Sequence, residues 1–197
     1  MIQRRRILLL GGPIMLSACG LSERPYIERR QWPLLVPRPT TLPPRTADLV
    51  LEIRELRAGP GLNTRGLQTL QPDGSIRIAF YEEWAVPPAH GVEDALRLWL
   101  GGSGMFSGVV SAGSRASAGI ALEGELAALW VDIAGRTAHA AIAIIAIDLR
   151  TGGRPIILQA TMRATAPVTE QTEAAQVRAQ LAALAVVFAQ IERRLVA

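Results

Sequence analysis

No lysine occurs anywhere in the 197-residue chain, and cysteine occurs once. Without lysine there is no Walker A loop, whose lysine must reach the phosphates, and no lysine Schiff base. A single thiol excludes an intrachain disulfide and a thiolate metal cluster. Histidine is almost as scarce, with only His90 and His139. His139 falls in an apolar strand-like segment and His90 in a proline-bounded loop, so the pair makes a poor metal site. There is no G-x-S-x-G elbow. Gly102-Ser103-Gly104 with Gly108 follows a helical segment rather than a strand and reads as a helix stop, not a dinucleotide loop. Glu82 and Glu83 are adjacent in a strand pattern, so their carboxylates point to opposite faces. No catalytic constellation emerges and no cofactor is implied. The chain reads as something other than an enzyme.

Long apolar runs are also missing. The longest near the N-terminus, Ile7 to Leu16, is ten residues, roughly 15 Å as a helix at about 1.5 Å per residue. A hydrocarbon core of about 30 Å asks for about 20 residues. Gly11, Gly12 and Pro13 interrupt the run as well. What precedes and follows it is informative. Arg4-Arg5-Arg6 supplies a positive start, and Leu16-Ser17-Ala18-Cys19 ends on the lone cysteine. A basic, then apolar, then small-residue order is that of a secretory leader. With cysteine next, it resembles a bacterial lipoprotein leader, which implies cleavage after residue 18 and diacylglycerol attachment at Cys19, palmitate among its acyl chains. Gln3-Arg4-Arg5-Arg6-Ile7-Leu8 keeps both the general and the twin-arginine export routes open. Gly20 stands where an aspartate would favour inner-membrane retention, so the inner leaflet of the outer membrane is the favoured location, facing the periplasm.

The leader also explains the charge. The whole chain has 21 basic and 17 acidic residues. Loss of residues 1–18 removes three arginines and no acid, leaving 18 against 17 over 179 residues. A mature protein so close to neutral, with no basic face, has no signature of a nucleic-acid partner.

After the lipid site, residues 19–46 are rich in proline (Pro33, Pro37, Pro39, Pro43, Pro44), which removes donors and restricts the preceding residues. Two readings stand: an extended tether, or Trp32–Val36 folding back as an edge strand. Residues 47–197 read as one domain. Leu49, Leu51 and Ile53 alternate with Val50, Glu52 and Arg54, a half-buried strand. Residues 66–71 and 75–84 flank Pro72-Asp73-Gly74 as a hairpin. A helix is predicted over 91–100, with Val92, Leu96, Leu98 and Trp99 apolar and Gly101-Gly102 ending it. Further strands are expected at 106–110, 122–133, 138–149 and 155–165. The run Ala140–Ile147 is apolar on both faces, as for a strand covered on each side. Thr169 is the expected cap of a long closing helix with Glu170 and Glu173 at its start and Arg193 and Arg194 at its end, both opposing the macrodipole. Val177, Leu181, Leu184, Phe188, Ile191 and Leu195 form its core-facing stripe. Trp84, Pro87 and Pro88, at the turn into the first helix, are candidate partner contacts, although a tryptophan at such a place is more often core.

Asp73-Gly74-x-Ile76, then Trp84-Ala85-x-Pro87-Pro88, then Ser103-Gly104-x-Phe106-x-x-Val109 and the alanine-rich closing helix together resemble the ABC-type transport auxiliary lipoprotein family, which includes the lipoprotein of the paraquat-inducible system. The blurred Tyr26-Ile27 and Trp32-Pro33-Leu34 segment and the Arg193-Arg194-Leu195 ending depart from that pattern. The resemblance implies an α/β fold: a mixed, largely antiparallel sheet flanked by helices, like the N-terminal domain of the translocation protein TolB, with a long C-terminal helix. It also implies an accessory role beside an ABC permease and ATPase with an MCE-domain protein, in systems that move phospholipids or other apolar molecules, with an oligomeric ring among the implied arrangements. A lipid-binding carrier with an apolar cleft between sheet and helix is the alternative.

Overall fold

A computed structural model describes residues 26–44 and 49–196. Eight strands form one sheet, and two helices complete the described chain. The strands are β1 (Arg30–Trp32), β2 (Val50–Ala58), β3 (Gly66–Leu70), β4 (Ile76–Trp84), β5 (Gly108–Ser111), β6 (Ile120–Asp132), β7 (Thr137–Asp148) and β8 (Ile156–Pro167); the helices are α1 (Pro88–Gly101) and α2 (Glu173–Val196).

β6 is the branch point. One edge pairs along its whole length with β7, antiparallel, and β7 pairs in turn with β8. Its other edge is shared: Ile120–Leu126 take β2 in parallel, and Val131–Asp132 take β3 in parallel. β5 continues beyond β2, and β4 then β1 continue beyond β3. The sheet is therefore mixed, with its long antiparallel ladders in the β6–β7–β8 meander. The hairpin between β3 and β4 turns where Pro72-Asp73-Gly74 predicts. Gly74 takes φ +84°, and Asp73 Oδ1 accepts from the Ser75 amide at 2.9 Å and its hydroxyl at 2.7 Å.

Burial alternates along β7 except at Ala141, which is buried on the outer face. Ala138, Ala140, Ile142, Ile144 and Ala146 are buried under the helices. Among the described residues no helix lies on the opposite face of β7, contrary to the both-faces expectation. Its Ala143, Ile145 and Ile147 are half-buried because they are short or sit low between taller neighbours, such as Glu123 and Glu125 on β6 and Gln159 on β8. A run of alanine and isoleucine reads as doubly covered although the shading comes from flanking strands.

Both helices lie over the core. Val92, Leu96 and Trp99 of α1 are buried, whereas Leu98 is 61% exposed and is no core contact. A bulge in β2 between Ile53 and Leu56 frees the Leu56 amide, and Glu93 of α1 accepts from it at 2.9 Å. The helix α2 buries Val177, Leu184, Phe188 and Ile191, while Leu181 and Leu195 are half-buried. Its N-terminal cap is Thr172, whose Oγ1 accepts from the Ala175 amide at 3.2 Å, and not Thr169. Glu170 precedes the helix, but Glu173, Arg193 and Arg194 stand where the dipole favours them. Gln180 is fully buried and neither amide atom has a partner among the described residues, a local cost that the surrounding apolar burial must offset.

Candidate functional site

Cys19, the expected lipid-attachment residue, lies outside the described residues, as do the leader and the start of the expected tether. The described chain begins at Tyr26, and its route from there defines how any anchor would be coupled to the domain. Arg30–Trp32 add to β4 in parallel, with Arg30 opposite Glu82 and Trp32 opposite Trp84. The strand observed here is Arg30–Trp32, which shares only Trp32 with the expected Trp32–Val36; residues 33–36 pair with no strand. Pro33 donates no hydrogen bond and cannot extend the ladder. The Trp32 carbonyl accepts from Ala85 at 2.8 Å, and the Trp32 indole donates to Glu82 at 2.8 Å. Leu34 and Val36 then turn into the core.

Beyond them a clasp closes over the helix ends. Arg38 sits with its guanidinium 5.3 Å from the Trp99 ring and donates to both carboxylate oxygens of Glu192, at 2.5 and 2.9 Å. The Trp99 indole donates to the same carboxylate at 2.8 Å. The Arg38 Nε donates to the Thr40 carbonyl at 2.6 Å, and the Leu42 amide to the Gly102 carbonyl at 2.9 Å. Gly104 closes the contact. At φ +71°, a Cβ there would stand 2.8 Å from the Leu42 Cβ and 2.9 Å from the Pro43 carbonyl. Three parts of the chain thus meet at one bidentate ion pair: the N-terminal segment, the end of α1 and the end of α2. Neither partner of this pair was apparent in the sequence, because 154 positions separate them and no local pattern links them.

Hydrogen bonding from Arg38, more than its charge or that of Arg193, holds the Glu192 carboxyl below the usual glutamate range, against the opposing effect of burial. A lowered folded-state value means stability that is present above the unfolded glutamate pKa, about 4.3, and is lost as pH falls through the folded one. The unfolding-midpoint difference between the wild type and Glu192→Gln should therefore be constant from pH 7 to about 5 and shrink at lower pH. Urea titrations at stepped pH read this directly, and a difference that grows on acidification would contradict the clasp.

The other candidate contacts divide. Trp84 is 1% exposed and packs in the core, so it presents nothing to a partner. An indole of that size is buried where the strand enters the turn. Pro88 is also buried, as the first residue of α1, where its missing amide donor costs nothing. Pro87 is exposed, next to Val86. His90 is exposed, and His139 stacks on Trp130 across the β6–β7 pair at 6.1 Å. Among the described residues there is no cluster of three or more metal-ligating side chains. The space between sheet and helices is filled by Phe188, Leu184, Val187 and Ile142, all at zero exposure. Toward the start of α2 a groove of about 360 Å³ opens between Leu67, Ala79 and Tyr81 on the strands and Glu173 and Gln176 on the helix.

Comparison with known proteins agrees with this architecture. A family model described as the ABC-type transport auxiliary lipoprotein component matches residues 34–192, from the buried Leu34 to the clasped Glu192. A solved structure of an uncharacterized protein superposes with TM-score 0.65 at 14% identity, covering 79% of this chain and 99% of that one. A Xanthomonas campestris protein superposes with TM-score 0.63 at 19% identity, covering 80% and 88%. A hypothetical protein from Chlamydia trachomatis reaches TM-score 0.50 at 10% identity, covering 74% and 96%. At these identities the likeness is one of fold. No curated protein matches the sequence. The family match spans well over half of the residues, including α1, most of α2 and all of the sheet except β1: the chain belongs to the ABC-type transport auxiliary lipoprotein family.

Proposed function

We propose that this auxiliary component is a periplasm-facing lipoprotein, anchored through Cys19 in the inner leaflet of the outer membrane, that docks an MCE-domain protein of an ABC-type system moving phospholipids or other apolar molecules. The family membership carries the reading. The leader-like order of Arg4–Arg6, the short apolar run and Cys19 supports the anchor. The packed core around Phe188, Leu184 and Ile142 supports docking over lipid carriage, since a carrier needs a cleft able to enclose most of its ligand. The exposed turn at Val86-Pro87 is the proposed partner contact. Detergent-solubilised membranes from cells producing a tagged chain should yield the MCE-domain protein in co-purification and no stoichiometric lipid beyond the anchor. Recovery of bound, non-covalent lipid without that partner would replace docking with carriage.

A further inference from the structure

β4 carries apolar side chains into solvent. Ile76, Ile78 and Phe80 are 46%, 46% and 66% exposed, and strand periodicity puts all three on one face. β1 pairs only with Glu82–Trp84, so the earlier part of β4 has an open outer edge among the described residues. Beside it run Tyr26 and Ile27, 89% and 55% exposed, which with Arg29 border a groove against Phe80 and Tyr81. The Arg29 guanidinium lies 4.4 Å from the Phe80 ring centroid. The chain thus enters its described part across the largest aromatic surface it exposes.

We propose that this surface, centred on Ile76, Ile78 and Phe80, rests on the phospholipid bilayer. The inference builds on the anchor at Cys19. Only six residues lie between Cys19 and Tyr26, and the seven steps from one to the other span at most about 25 Å when fully extended. β8, twelve residues long, measures roughly 40 Å. An acylated Cys19 therefore holds the Tyr26 end of the molecule near the headgroups and keeps the distant end away from them. The side chains fit an interface. Tyrosine rings sit at headgroup depth, phenylalanine and isoleucine bury at the headgroup/acyl boundary, and arginine stems lie along apolar surface while the guanidinium stays in water. Glu28 and Glu82 offset two of the three charges on Arg29, Arg30 and Arg77, leaving +1, so the contact is chiefly apolar and anionic lipid adds only modestly.

The test uses the full lipidated chain in phosphatidylethanolamine–phosphatidylglycerol vesicles. With the natural thiol acylated, Ile78→Cys and Val186→Cys each offer one site for an environment-sensitive fluorophore; Val186 is 46% exposed on α2. Nitroxide lipids should quench the label at 78 at least about threefold more than at 186. Equal quenching overturns the proposal, and so does a label at 78 already shielded in lipid-free detergent by a second copy, seen as a dimer in sedimentation. A second arm separates this surface from the anchor. Unacylated chain carrying Cys19→Ser should sediment weakly with the same vesicles, and Ile78→Ser with Phe80→Ser should lower that fraction at least about fivefold. No change on that double substitution overturns the surface, whereas absent palmitate labelling of the wild type overturns only the anchor.

Discussion

Phe188→Ala should lower the unfolding free energy by about 3–5 kcal/mol, the range for truncating a fully buried aromatic. Phe188 has zero exposure and meets Trp99 edge-to-face at 5.8 Å between centroids. The loss has two parts: the transfer free energy of the ring, and a cavity that cannot collapse. The cavity would be walled by strands on one side and by Trp99 on the other, and Trp99 is held by its indole bond to Glu192. Its effect should therefore spread to the N-terminal segment, since Arg38 grips the same carboxylate. The matched control is Leu98→Ala on α1, 61% exposed, which should stay within about 0.5 kcal/mol. Urea unfolding followed by circular dichroism compares the two. A small loss at Phe188 would mean that α2 does not close the core.

Local chemistry made much of this fold legible in advance. Pro72-Asp73-Gly74 names its own turn because Asp73 caps it and Gly74 accepts a positive φ. The charges at the ends of α2 and the four-and-three spacing of Val177, Leu184, Phe188 and Ile191 identify a helix lying on a core. The failures share one cause: they depend on what lies across space. Leu98 and Trp99 are neighbours of similar apolarity, and only the approach of α2 decides which is inside. Trp84 beside a proline turn could serve core or partner, and only the fold, which buries it, decides for the core. The branching of β6 between β2 and β3 is invisible because parallel partners far apart in sequence leave no turn signal between them. β1 was hidden by the prolines around it, which confine it to three residues but do not prevent Leu34 and Val36 from packing. Thr172 rather than Thr169 caps α2 because Val168 still bonds to Arg136 at the end of the meander, which delays the helix start.

Cys19→Ser should move the protein from the membrane pellet to the soluble periplasmic fraction without altering its fold. The variant must follow a secretory leader whose cleavage does not need the cysteine, because an uncut apolar leader would itself hold the chain to the bilayer. At about 0.8 kcal/mol per buried methylene, a single acyl chain binds marginally and reversibly, whereas two or more anchor stably. Losing them all leaves only the exposed surface around Ile78 and Phe80, whose few side chains support no more than weak, washable attachment. Stability should be unchanged within about 0.5 kcal/mol, since the strand pairing begins at Arg30 and the clasp at Arg38, both beyond the substituted residue. Fractionation with repeated large-volume dilution washes, which release a weakly bound apolar contact, and a urea melt of the soluble variant test the two halves together. Release with an unchanged melt shows that anchorage and folding are independent. Full retention in the pellet after the washes would show that something other than an acylated Cys19 holds this chain to the membrane.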